Sequence, residues 1–182
     1  MQVHSTGVPR PERRFSAATA LDSVRSGVAL EALASERSMR EIVAAVRDAK
    51  AGLRYGLAAL DAAGLRRTAG LDPWNVAEVV GHALEVDVAA HTIARSLAVG
   101  RAPATSLPYD TRGPAGSSPE ELLAGITAAE ERAADALVLA AGGPTFRHRD
   151  LGELSARGWI LFIAVHDAAH LHQAAAIVRT PR

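Results

Sequence analysis

The chain has 182 residues, 48% of them apolar and 4% aromatic, with twenty basic side chains balanced by twenty acidic ones. That length suits one domain with an ordinary core, and the even charge leaves no field to draw in nucleic acid or an anionic membrane. Cysteine is absent, which excludes disulfides, a thiolate nucleophile of the protein's own and any cysteine-ligated zinc.

Residues 1–14 hold Pro9, Pro11 and three arginines but no apolar stretch, so no secretory signal is expected. The longest apolar run, residues 159–165, is far short of the roughly 20 residues that a membrane span needs. A cytoplasmic protein with a small-molecule substrate, and with neither nucleic acid nor membrane as partner, is the expectation. Residues 1–34 read as an N-terminal extension, partly disordered, with weak helical character from residue 16. Residues 35–182 read as the folded domain. Abundant alanine there favours closely packed helices.

The first long helix is expected from Ser35, with Met39, Ile42, Val46, Leu53, Leu57 and Leu60 on its apolar stripe, Lys50 mostly off it, and Gly64 as its stop. Asp72 as N-cap and Pro73 at the first position open the second, which runs through Val76, Val79, His82, Val86, Ala90, Ile93 and Leu97 to Gly100. Residues 101–117, rich in proline and glycine, form a long connection. Seventeen extended residues reach roughly 55–60 Å, against about 37 Å for a 25-residue helix. The connection can therefore return along the whole helix and leave the second and third helices parallel.

Ser118-Pro119-Glu120-Glu121 is a capping box with proline at the first position. It opens a third helix that carries Leu122, Ile126, Ala133 and Leu137 on one side and ends at Gly142-Gly143-Pro144. Residues 146–154 read as an extended connector. Ser155 then caps a fourth helix reaching about Val178. The predicted fold is all-α, a four-helix bundle.

The fourth helix bears His166 and His170, about 40° apart on one face, with Trp159 within about 20° of His166. Both imidazoles thus fall on the core side, where a polar ring needs a partner. A divalent metal would supply one. His82 stands on the apolar stripe of the second helix, and metal sites in helical bundles are built from such inward residues of neighbouring helices. Three neutral imidazoles suit zinc, nickel, iron or copper and leave positions open, as catalytic sites do. His4 and His148 are expected to be solvated, and His91 and His172 to lie at the surface or in an interface. His166-Asp167-Ala168-Ala169-His170 has the spacing of the zinc-protease motif but carries Asp where that motif needs Glu, and residues 173–182 hold no third ligand. The protease reading fails.

Trp74-Asn75-Val76-Ala77-Glu78-Val79-Val80-Gly81-His82, followed by Glu85-Val86-Asp87, together with His166-Asp167-Ala168-Ala169-His170-Leu171-His172-Gln173, resembles the DinB-like (YfiT-related) superfamily of metal-binding four-helix bundles. The resemblance covers roughly residues 36–180. It implies an up-down-down-up topology with the long crossover between helices two and three, and His82, His166 and His170 as metal ligands. Members include thiol S-transferases that use bacillithiol, mycothiol-dependent isomerases and modules of ergothioneine synthesis.

The implied activity is activation of a low-molecular-weight thiol, or of water, at a divalent metal, with zinc favoured over nickel or iron. Gln173 could orient a bound group or a ligand imidazole. Asp167 could accept from an imidazole N–H or stand as a solvated helix acid. The alternative is a non-catalytic, stress-linked scaffold or dimerisation bundle, and a homodimer is possible on either reading.

Overall fold

A computed structural model describes residues 14–69, 73–139 and 142–180. The chain is mostly helical over this range. Helix α1 (Ala17–Arg25) opens on a capping box between Ser16 and Thr19, and α2 (Leu30–Ser35) follows it. Leu21, Leu30 and Leu33 are buried in the same core as Val46, Ile93 and Trp159. The stretch expected to be a loose extension is thus helical and packed from Ala17 onward, because these apolar residues find cover against the helices that follow. Residues 1–13, His4 among them, lie outside the described residues.

Helix α3 (Met39–Ala58) starts at a Ser38–Glu41 capping box and not at Ser35. It stops short of Gly64. Asp61 accepts from the Gly64 N–H at 2.7 Å and opens a separate turn, α4 (Ala62–Leu65). Helix α5 (Val76–Ala98) likewise begins later than the sequence suggests, because Asn75 and Glu78 form a full capping box. Pro73 therefore precedes the helix, and Asp72 lies outside the described residues. The far end agrees with expectation, since Gly100 takes a positive φ of 72°, which glycine tolerates without cost.

Helix α6 (Pro119–Asp135) begins at the expected Ser118–Glu121 box and tightens into a 3₁₀ turn at Ala136–Val138. The extended connector is a small antiparallel hairpin, β1 (Phe146–His148) and β2 (Gly152–Leu154), with Phe146 opposite Leu154 and His148 opposite Gly152. Ser155 caps α7 (Ala156–Arg179) as expected.

Helix α7 is the hub, packing on α1, α2, α3 and α5, while α6 packs on α3 and α5. That central position explains its composition. Residues 158–165 are buried without a break, and a residue enclosed on all sides has no polar face to keep. By length and composition alone α7 could cross a membrane, yet half of its most apolar window is buried inside the fold.

Candidate metal centre

Helices α5 and α7 bring His82, His166 and His170 together. One ring nitrogen from each lies within 4.8 Å of the others. His82 is buried, and the other two are half-buried. His82 Nδ1 is 2.7 Å from the carbonyl oxygen of Thr111, and His170 Nδ1 is 2.8 Å from Gln173 Oε1. A carbonyl oxygen only accepts, so each Nδ1 carries the hydrogen and each Nε2 keeps its lone pair. His170 Nε2 faces His166 Nε2 at 3.1 Å. His166 Nδ1 is buried and has no hydrogen-bond partner among the described residues, so the polar contact of this ring is made through Nε2. Three converging imidazole nitrogens, two of them with fixed tautomers, fit a divalent cation.

Electrostatics favour the ligand form. Burial pushes His82 below its ordinary pKa against the opposing Thr111 bond, and burial plus the neighbouring His170 and His82 rings holds His166 well below. Both stay neutral at physiological pH, as metal binding requires. Trp74 packs edge-on against His82 at 5.0 Å and stacks on His170 at 6.5 Å.

The crossover loop is part of this centre. Besides the Thr111 carbonyl, the Gly113 N–H donates to the Glu78 carbonyl at 3.2 Å, and Arg112 donates to the Pro73 carbonyl at 3.2 Å. A Cβ on Gly113 would overlap the His82 backbone nitrogen and lie 2.7 Å from Glu78 O. Only glycine lets the loop cross α5 this closely.

Asp167 takes neither role expected of it. It is fully buried and paired with Lys50 at 2.8 Å, and neither of its oxygens has an imidazole hydrogen-bond partner among the described residues. Lys50, expected mostly off the apolar stripe, is also fully buried and bridges to Asp87 of α5. Val46 and Leu53 lie four residues before and three after it, so helical spacing does place Lys50 on the buried face. Two carboxylates against one ammonium leave an excess negative charge in a dry site. Burial and the Asp87 charge push the Asp167 carboxyl up to about 8, so it keeps its proton near neutrality. Burial tends to lower the Lys50 pKa, but Asp167 and Asp87 outweigh it and raise the pKa.

Two further histidines differ from expectation. His91 is 5% exposed and His148 is 4% exposed. His148 shares a strand face with Phe146, which is the period-two signal that marks an inward residue. His172 is exposed. A cavity of about 390 Å³ adjoins the cluster, lined among others by His82, His166, His170, Tyr109, His148 and Phe162.

A family model described as the DinB superfamily matches residues 45–174. The chain belongs to the DinB superfamily. All three histidines fall inside the match, whereas α1 and α2 lie before it. No curated protein and no solved structure was found to match. Within the DinB-superfamily chain, Thr111, Lys50 and Asp87 were not singled out as site residues by sequence. Thr111 contributes only its backbone carbonyl, for which side-chain identity gives no signal.

Proposed function

We propose that this DinB-superfamily chain is a divalent-metal-dependent enzyme that activates a low-molecular-weight thiol, or water, beside an electrophile held in the adjoining cavity. The observation that carries this reading is the convergence of three imidazole nitrogens within 4.8 Å at the wall of a cavity large enough for a small substrate. His82, His166 and His170 would hold the cation, and zinc suits three neutral imidazoles best, with nickel or iron next. Such a cation supplies Lewis acidity and lowers the pKa of a thiol or water that reaches it. Thr111 and Gln173 hold two of the rings in orientation. Phe162, Val165 and Leu107 give the cavity apolar walls that would exclude water from the reacting groups. The chain has no cysteine, so the sulfur in a transfer reaction would come from the co-substrate.

The same reading arranges the four long helices up-down-down-up. Supporting it, Arg157 reaches the Arg37 carbonyl, Lys50 meets Asp167, and Gly52 abuts Leu171, an ordering that makes α3 and α7 parallel. Trp74 on His170 and His82 beside His166 run α5 against α7.

Melting the zinc-loaded and chelator-treated protein against a panel of small thiols tests the function. The thiol reading expects a metal-dependent rise in Tm, a further rise with one thiol, and a perturbed spectrum of the cobalt-substituted centre on adding that thiol. A metal-dependent rise with no thiol affinity would leave activation of water, read as hydrolysis of an activated ester, and the absence of hydrolysis as well would make the protein a metal-clamped scaffold.

A further inference from the structure

His148 occupies the tip of β1, where the backbone N–H groups of Asp150 and Leu151 both donate to its Nδ1, at 3.1 and 3.3 Å. An acceptor of two hydrogen bonds carries no hydrogen, so the neutral ring bears its hydrogen on Nε2. No protein partner for that Nε2–H occurs among the described residues, and the atom is not sealed in the core. The ring lines the cavity beside the three-histidine cluster. It is fixed there by Phe162 at 4.8 Å, Tyr109 at 5.3 Å and Trp159 at 5.6 Å. Phe162 also touches His166 at 5.2 Å, so one aromatic ring separates His148 from the cluster. The nearby cation, Arg149, is committed to Asp110 at 3.0 Å and Asp150 at 3.3 Å. Its own N–H donates to the Tyr109 hydroxyl.

We infer that His148 is a substrate-binding residue, donating from Nε2 to a carbonyl or carboxylate oxygen of the molecule that occupies this cavity. The inference rests on the reading of the cavity as the electrophile's site. A second proton at Nδ1 would displace two backbone donors, and burial also holds the ring below its ordinary pKa. His148 is therefore a permanent donor and not a proton shuttle. A fixed neutral N–H set among Phe162, Tyr109 and Leu107 on this side of the cavity selects a flat, oxygen-bearing organic molecule over a pure hydrocarbon, because an unmet buried donor disfavours the latter.

The experiment uses ¹⁵N-histidine-labelled, zinc-loaded protein and sodium benzoate, whose ring suits the Phe162 and Tyr109 walls. The expected results are an Nε2–H tautomer for His148 and a shift of that resonance on adding benzoate. His148→Asn keeps an acceptor for the hairpin N–H groups but lacks a donor at the Nε2 position, and should weaken benzoate about tenfold. His148→Gln restores a donor there and should stay within about threefold of the parent. Zinc stoichiometry should be unchanged in both. An Nδ1–H tautomer, equal benzoate affinity in parent and His148→Asn, or no benzoate shift in the parent would overturn the assignment. The tautomer and the shift are read in the unmutated protein, so they decide the matter even if a variant fails to fold. Thiol affinity enters none of these readouts. Its absence would sink the transferase reading and leave the His148 result standing.

Discussion

An imidazole can offer one nitrogen to a cation only if the hydrogen sits on the other, so the atom that accepts the second hydrogen matters as much as the ligand. For His170 that atom is Gln173 Oε1 at 2.8 Å. Replacing Gln173 with Leu should weaken zinc binding by about 10–100-fold with little change in helicity, as read by chelator competition. His91 carries a separate consequence. Burial, with Arg132 and Lys50 adding to it, lowers this ring from its ordinary 6.5 to about 4. Between those values the unfolded chain binds a proton that the folded chain refuses, so stability falls as pH drops from 6.5 towards 4, and the group is without effect above 6.5. Because Asp167 carries the opposite slope over these pH values, thermal melts of an Asp167→Asn variant should show the decline across this window, and adding His91→Leu should flatten it.

At the scale of elements, the crossover loop does more than connect α5 to α6. Having left α5 beyond Ala98, it has returned by Gly113 to Glu78, one turn into the same helix. There it orients His82 through Thr111. Gly113→Ala should lift the loop from α5 and cost about tenfold or more in metal affinity, although no ligand is altered and α5 itself stays intact. Metal titration alongside far-ultraviolet circular dichroism checks both halves. The helix starts show how far local signals carry. Ser118 and Ser155 cap where the sequence suggests, because a box or cap there has no nearby rival. Asp72-Pro73 has a rival three residues on, and the reciprocal Asn75–Glu78 box satisfies two donors where a lone cap satisfies one.

For the molecule as a whole, Lys50, Asp87 and Asp167 join α3, α5 and α7. Buried charges seldom add net stability, but removing one partner leaves the others uncompensated. Lys50→Met should cost about 3–5 kcal/mol in chemical denaturation. Asp167→Asn, which leaves a one-to-one Lys50–Asp87 pair, should be close to neutral. Asp167 also sets a slope opposite to that of His91. Its folded pKa is raised from 3.8 to about 8, so the folded chain holds a proton that the unfolded chain has lost, and stability falls as pH rises through that window. The Asn variant should lose this decline, most plainly between pH 6.5 and 8, where His91 does not oppose it.

The sequence by itself determined the helical class, the four long helices in outline but not where the first two start or where the first and third stop, and the three candidate histidines, since helical periodicity and i, i+4 spacing are local properties of the chain. It also carried the family, through the Trp74–His82 and His166–Gln173 segments. Only the tertiary structure decided what lay across from each residue. That Lys50 meets two carboxylates, that Thr111 turns the His82 ring, that α1 and α2 join the core and that His148 lines the cavity beside the cluster depend on contacts between segments distant in sequence. Periodicity can mark a face as buried, but which partner neutralises a charge or accepts a proton follows from packing, and packing is not a local property.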